Sequence, residues 1–138
     1  LLVDGYNIIF AWKELSELAK LDLNAARARL MDILCDFQGY RKMHLILVFD
    51  AYRVKGNSGS VERYHNIDVV YTKEAETADM YIERTTYALA KEHRVRVATS
   101  DGLEQMIILG HGAVRMPAAE LEFELNQVEA DIRRAIGG

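Results

Sequence analysis

The sequence lacks the features that define several large classes of protein. It has one proline and one cysteine, Cys35, so neither a proline-rich tail nor a disulfide framework is expected. No apolar run approaches the ~20 residues of a membrane-spanning helix, and no signal peptide is recognisable. These absences favour a cytoplasmic protein with no membrane partner and no disulfide-linked partner. Because the sequence begins with Leu1 rather than methionine, a few N-terminal residues are expected to be missing.

Signatures of zinc sites and of common nucleotide sites are also lacking. The four histidines do not have the spacing of zinc ligands, and Cys35 has no second cysteine to join it in a ligand set. A P-loop and a G-x-G-x-x-G fingerprint are both absent. A bound metal ion would therefore depend on oxygen ligands.

The 138 residues, half of them hydrophobic, predict a single domain over residues 1–138. Apolar runs alternate with amphipathic segments, which predicts an α/β protein: a three-layer α/β/α domain around a mostly parallel sheet of about five strands. One clear helix is predicted from Asp22 to Phe37, with Gly39 as its stop signal. A long polar loop is expected over residues 51–66, followed by a short strand over residues 67–71.

Three of the apolar runs end on a carboxylate. Residues 1–3 lead into Asp4, residues 45–49 lead into Asp50, and residues 95–98 lead through two polar residues into Asp101. In open parallel sheets the strands end at one edge, which is where ligands bind. Acids gathered there would repel one another unless a cation lay between them. A divalent metal ion is the obvious candidate.

A fourth acid, Asp79, follows Thr77, which is a candidate N-cap for the next helix. Carboxylate oxygens are the ligands that Mg²⁺ prefers in proteins. Each acid alone also has a structural interpretation, because Asp4 and Asp50 could be turn residues and Asp79 and Asp101 could stabilise helix starts. Turn and cap chemistry explains the joint placement of all four poorly.

Basic residues are concentrated in one part of the chain. Residues 41–73 contain six basic and three acidic residues, although the whole sequence has a net charge of −4. The same stretch is rich in glycine and serine at residues 56–60. A basic loop beside an acidic edge could hold an RNA backbone, and a solvated surface loop is the alternative. The candidate RNA-binding residues are Arg53, Lys55, Arg63 and Lys73.

Four short motifs occur in an order that resembles a known family. The sequence resembles NYN domains of the PIN-like nuclease superfamily, and it is most similar to the YacP-like branch, which includes a ribosome-associated mRNA endonuclease. The motifs are Asp4-Gly5-Tyr6-Asn7, Phe49-Asp50-Ala51, Glu76-Thr77-Ala78-Asp79 and Thr99-Ser100-Asp101.

The resemblance implies a metal-dependent endoribonuclease that uses Mg²⁺ or Mn²⁺. Asp4, Asp79 and Asp101 would be the catalytic acids that bind the metal, and Asp50 would assist catalysis directly or through water. A metal-activated water would attack the phosphodiester in line and leave a 5′-phosphate and a 3′-hydroxyl. The number of metal ions stays open. Two further residues would support the metal ligands or contact a phosphate: Asn7 and Ser100.

The implied substrate is mRNA, with the ribosome as a partner. One alternative is a non-catalytic module of the same fold that binds RNA or a ribosome and keeps the acids as structural caps. Another is a small-molecule phosphohydrolase, which the sequence supports less because Asp4-Gly5-Tyr6 has no second nearby aspartate for an aspartyl-phosphate mechanism.

Overall fold

The structure, a computed structural model, describes residues 1–50, 59–99 and 112–137. The described strands are β1 (Leu2–Asp4), β2 (Ile46–Phe49), β3 (Val61–Tyr64), β4 (Ile67–Tyr71), β5 (Arg96–Ala98) and β6 (Val114–Met116). The described helices are α1 (Gly5–Ala11), α2 (Lys13–Leu21), α3 (Leu23–Arg41), α4 (Ala78–Leu89) and α5 (Ala118–Gly137).

The six strands form one sheet in the order β3-β4-β2-β1-β5-β6. Every neighbouring pair is parallel except β3 and β4. The chain leaves β1 toward β2 on one side and later returns to β5 on its other side. The point where the strand order reverses lies between β1 and β5, which is the usual ligand-binding position in such sheets.

The predicted three-layer, mostly parallel architecture is confirmed, since helices cover both faces of the sheet. On one face, α1, α2, α3 and α5 bury a large apolar cluster that includes Val3, Leu47 and Phe49. On the other face, Ala78 and Ile82 of α4 pack against the alternate strand residues. Both faces are buried, which explains why the strands read as nearly continuous apolar runs. None of the described helices combines the length and apolar character needed to cross a bilayer.

The loop predicted over residues 51–66 is wrong at its end, and the sheet has six strands where about five were predicted. Residues 61–64 form β3, an exposed edge strand that pairs antiparallel with β4. The two-residue turn between them contains His65 at a φ of 51° rather than an Asn-Gly or Asp-Gly pair. The strand was missed because its side chains are mostly exposed and its turn lacks the usual glycine.

The predicted helix stop at Gly39 is also wrong. Helix α3 begins where expected, with the Asp22 carboxylate accepting from Asn24 N at 2.9 Å, but it continues to Arg41 and ends on left-handed Lys42. Gly39 lies inside the last turns, facing the β3–β4 turn, where a Cβ would come within 3.5 Å of Asn66 Nδ2. That distance is an ordinary contact, so Gly39 neither ends the helix nor is required by the packing around it.

The two ends of the sheet differ in what they carry. We call the end at which the parallel strands finish, at Asp4, Asp50, Thr72 and Thr99, the carboxyl edge. The opposite end, with His44 and the β3–β4 turn, is the amino edge. Helix α4 begins at the carboxyl edge, and helix α3 begins there and runs back toward the amino edge.

Candidate functional site

Asp4 is the last residue of the central strand β1, in register with Val48 of β2. Its side chain is 6% exposed, although the residue belongs to the carboxyl edge. A carboxylate this deeply buried is costly in free energy unless cations or N–H groups stabilise its charge. Its burial therefore argues against a solvated turn residue.

Gly5 brings helix α1 directly onto the end of β1. A Cβ at this position would lie 2.3 Å from Cε1 of the buried Phe49 ring and 3.0 Å from the Val48 carbonyl oxygen. Only glycine leaves room for the helix to start here without displacing β2. The motif glycine thus fixes the position of the Asp4 carboxylate through packing.

Asp50 immediately follows β2 at the carboxyl edge, and its side chain bonds helix α4. Its Oδ1 accepts a hydrogen bond of 2.6 Å from the backbone N–H of Ala78, the first residue of that helix. Free N–H groups at a helix start make it a favourable place for a carboxylate. Asp50 therefore anchors the start of α4 to the end of β2.

Asp79 lies in the first turn of α4, as the sequence predicts. Thr77 is the N-cap, and its hydroxyl accepts from Met80 N at 3.2 Å. Below the first turn, Ala78 and Ile82 pack against the sheet beside Val48. With the anchor at Asp50, this packing places the half-buried Asp79 at the same edge as Asp4.

The donors at this edge suit a hard divalent cation, because Asp4, Asp50 and Asp79 offer only carboxylate oxygens. Softer ligands lie elsewhere: His44 and Cys35 belong to the amino edge, where they contact Asp68 and the Tyr64 carbonyl. Among residues 1–50, 59–99 and 112–137, no three His, Cys, Asp or Glu side chains form a ready metal cluster. Of the three aspartates predicted to bind the metal, Asp4 and Asp79 lie in those ranges and Asp101 does not.

Four predicted site residues lie outside the described residues: Arg53, Lys55, Ser100 and Asp101. Buried Thr99, which follows β5 and donates its backbone N–H to the Met116 carbonyl at 3.1 Å, is described and lies at the carboxyl edge. Asn7 lies in α1, one turn beyond Asp4, and is half-buried.

The two remaining predicted RNA contacts lie in different places. Lys73 is exposed just beyond β4, at the carboxyl edge, with its Cγ beside Gly59. Arg63 is on β3 and donates to Asp68 Oδ1 at 2.9 Å, opposite the first residues of β4. Its guanidinium therefore points to the amino edge, and its role in RNA binding stays a prediction.

One basic residue near the site was missed by sequence reasoning. Arg27 of α3 donates from Nη1 to the hydroxyl of Tyr6 at 3.0 Å. Tyr6 itself is 4% exposed and packs on Phe49 with ring centroids 5.0 Å apart, so it is a core residue rather than a free stacking surface. Arg27 lies outside the basic stretch, and only its place beside buried Ala26 on an amphipathic helix could have drawn attention to it.

A three-layer fold with acids at the carboxyl edge of a mostly parallel sheet, beside the point where strand order reverses, defines a PIN-like domain. More particularly, the chain belongs to the YacP-like NYN domain family, whose model matches residues 1–137. Membership of the NYN family implies nuclease activity.

Relatives from Bacillus subtilis support this assignment. The chain is 42% identical over 137 residues to the uncharacterized protein YacP of strain 168, covering 99% of this chain and 80% of that protein. It is similar to the crystal structure of Rae1 (YacP), with a TM-score of 0.84 and 41% identity over 98% of this chain and 78% of that one. A mutant of the same protein gives the same TM-score at 40% identity, covering 96% and 78%.

Proposed function

We propose that this protein is a metal-dependent endoribonuclease that cleaves phosphodiester bonds of mRNA in association with the ribosome. The observation that carries the proposal is the contact between the end of β2 and the start of α4 at the carboxyl edge. Asp50 bonds the start of α4 to the end of β2, so that Asp79 joins the buried Asp4 at the carboxyl edge. In a family that implies nuclease activity, this edge is the natural place for the chemistry.

The proposed catalytic acids are Asp4, Asp79 and, from its sequence motif, Asp101. Their carboxylates would hold Mg²⁺ or Mn²⁺, which when bound supplies water activation and neutralises charge that develops on phosphoryl oxygen. Asp4 is largely shielded from solvent, which strengthens electrostatic interactions of its carboxylate.

Asp50 has a positioning role in this proposal. Its observed oxygen contact is to the Ala78 backbone N–H, at 2.6 Å, so its carboxylate acts on the site through the orientation of α4. Asn7, one helical turn after Asp4 on α1, would orient a carboxylate or contact a phosphate. Ser100, which the sequence motif assigns to the same role, would do the same.

Exposed Lys73 supports the RNA part of the proposal, because it places a cation at the carboxyl edge beside β4. With Arg53 and Lys55 it would contact the phosphate backbone, whose negative charge dominates the affinity of proteins for nucleic acids. The ribosome is proposed as a partner because the sequence resembles the YacP-like branch.

The decisive experiment incubates the purified chain with end-labelled RNA, alone and with translating ribosomes, in Mg²⁺, Mn²⁺ or EDTA. Cleavage within the strand that requires the metal and leaves 5′-phosphate and 3′-hydroxyl ends is the expected result. Cleavage that persists unchanged in EDTA would contradict the metal assignment.

The alternative is a non-catalytic module of the same fold that binds RNA or the ribosome. Asp50 favours it in one respect, because its described contact is a helix anchor and not a reacting group. That alternative predicts RNA or ribosome binding without cleavage in either metal, and unchanged binding after replacement of Asp79 by asparagine.

A further inference from the structure

Arg27 occupies an unusual position among the arginines of the described chain. Six others form ion pairs with carboxylates; Arg29 bonds Glu14 at 3.8 Å, and the remaining pairs join Arg63, Arg84, Arg96, Arg133 and Arg134 to acids. In the described ranges no carboxylate lies within 4.0 Å of the Arg27 guanidinium; the same holds for Arg41 and Arg94, but these two are exposed, whereas Arg27 is half-buried. A partly desolvated charge of this kind is suited to an anion that comes from outside the chain.

The guanidinium is held in a defined orientation by Tyr6. Nη1 of Arg27 donates to the tyrosine hydroxyl at 3.0 Å. Tyr6 belongs to α1, and its ring packs on the ring of Phe49. A guanidinium has five N–H donors in a rigid plane. Since Tyr6 takes one of them, the others are available in a fixed direction, and little side-chain entropy remains to be lost on binding.

Arg27 also lies at the right edge of the molecule. Tyr6 comes two residues after Asp4, so the Arg27–Tyr6 bond is formed beside the end of β1. At the end of β4, burial raises the pKa of Tyr71 and the Glu62 carboxylate raises it further, while the positive charge of Arg27 lowers it. Arg27 thus reaches the carboxyl edge between the ends of β1 and β4.

We propose that Arg27 binds a phosphate group of the RNA strand on the α3 side of the acidic edge, with Tyr6 as its positioning residue. The proposal rests on the proposed nuclease function and adds a phosphate contact to it. A planar guanidinium recognises two phosphate oxygens at once, so it fixes the strand as well as attracting it. Arg27 would hold the strand while Asp4 and Asp79 act on the bond to be cleaved.

The test measures the binding of a fluorescent single-stranded RNA oligonucleotide by anisotropy in EDTA, at a series of salt concentrations. Replacing Arg27→Met should weaken binding about tenfold, since hydrogen bonds to a charged group are lost. The slope of log affinity against log salt should fall by about 0.7, the value for one phosphate contact on a single strand.

Arg29→Met is the matched control. Arg29 is two residues away on the same helix, and its side chain is 50% exposed and paired with Glu14. The substitution removes the same charge from α3, yet it should change affinity by no more than about twofold, because an exposed pair contributes little.

Tyr6→Phe and Arg27→Lys separate binding from a structural role. Tyr6→Phe keeps the buried ring and removes the hydroxyl, so RNA affinity should fall less than in Arg27→Met while the salt slope is retained. Arg27→Lys keeps the charge but loses the planar donors, and it should restore the slope with only part of the affinity. Thermal melting of every variant shows whether a change in affinity reflects loss of folding.

In a cleavage assay with metal, Arg27→Met should raise KM with little change in kcat, whereas Asp79→Asn should lower kcat. If Arg27→Met bound RNA with the parent affinity and salt slope while the parent protein cleaved RNA, the phosphate contact would be refuted and the nuclease function would stand. If the parent protein neither bound nor cleaved RNA, with or without ribosomes, the proposed function and this contact would both fail.

Discussion

The partners of the charged side chains differ between Asp68, at the amino edge, and Asp50 and Arg27, at the carboxyl edge. At the amino edge, Asp68 bonds both His44 at 2.8 Å and Arg63 at 2.9 Å, so charges are neutralised within the chain. At the carboxyl edge, Asp50 bonds a backbone N–H, and Arg27 bonds a tyrosine hydroxyl with no carboxylate within 4.0 Å in the described ranges.

The contrast indicates what separates a structural charge from a functional one. An arginine or aspartate whose partner is supplied by the fold contributes to stability and is already satisfied. One that the fold holds in place, without supplying an opposite charge, is prepared for a ligand. Removing the charge of Asp68 should therefore change mainly stability, and removing the charge of Asp79 or Arg27 should change mainly activity or binding.

The largest expected effect is the loss of activity in Asp79→Asn. Removing one carboxylate that stabilises the transition state should lower the cleavage rate on the order of 10³-fold, with the fold preserved. The measurement is the single-turnover rate on an RNA substrate cleaved by the parent protein, with thermal melting of both proteins.

Asp68→Asn is the amino-edge counterpart of that variant. It should lower the melting temperature, because His44 and Arg63 lose their shared carboxylate, and it should leave the cleavage rate unchanged. Equal losses of activity in the two variants would remove the distinction between the edges.

The next largest effect is expected from Gly5→Ala. The added Cβ would lie 2.3 Å from a ring carbon of Phe49, so β2 or α1 must shift. We expect unfolding to become easier by about 1–3 kcal/mol, as is typical of overpacked cores. Activity should fall further than stability accounts for, because the shift moves Asp4. Chemical denaturation and a cleavage assay below the melting transition measure the two effects.

Gly39→Ala provides a matched glycine at the amino edge. Outside its own helix, and among the described residues, its Cβ would meet only Asn66 Nδ2, at an ordinary contact distance of 3.5 Å. Inside helix α3 the substitution should stabilise the protein by about 0.5–1 kcal/mol with unchanged activity. If Gly39→Ala destabilised the protein as much as Gly5→Ala, the space around an added Cβ would not explain the effect of either substitution on stability.

A smaller effect distinguishes the two roles open to Asp50. Asp50→Ala removes the anchor of α4 and should cost about 1–2 kcal/mol of stability together with part of the activity. Asp50→Asn keeps an oxygen that can accept from Ala78 N, so both properties should be largely rescued. A rate for Asp50→Asn as low as that for Asp79→Asn would instead make Asp50 a catalytic acid. Melting curves and single-turnover rates of both variants decide the matter.

The smallest effect is a dependence of stability on pH at the amino edge. A hydrogen bond with His44 lowers the pKa of Asp68 below 3.8; burial raises it, and Arg63 lowers it again. Because the folded-state pKa is lowered, this stabilisation is fully present above pH 3.8 and is lost as pH falls through the folded-state value. The difference in unfolding free energy between the parent and Asp68→Asn should therefore shrink as the pH falls below 3.8. A constant difference would contradict the pairing.

The features that were predicted correctly from the sequence are those encoded locally. Apolar runs marked the parallel strands, and the Thr77 cap correctly placed Asp79 in the first turn of α4. The errors involve partners distant in sequence. Helix α3 continues past Gly39, and its last turns accept hydrogen bonds from Asn66 of the β3–β4 turn. Strand β3 exists because β4 pairs with it.

The residues of the candidate site also differ in whether local sequence or a distant contact reveals them. Asp4, Asp50 and Asp79 were predicted because each follows a strand or begins a helix. Arg27 was missed because its importance depends on contact with Tyr6, 21 residues earlier, and on the absence of a nearby acid in the described chain. No spacing rule along α3 encodes that contact.

The most direct measurement of the central claim is an anomalous difference map from crystals soaked in Mn²⁺. The account predicts a peak at the carboxyl edge within coordination distance of the Asp4 and Asp79 carboxylates, and loss of that peak in Asp79→Asn crystals. A peak only among the acids of the amino edge, or none at either edge in crystals of a protein that cleaves RNA, would contradict it.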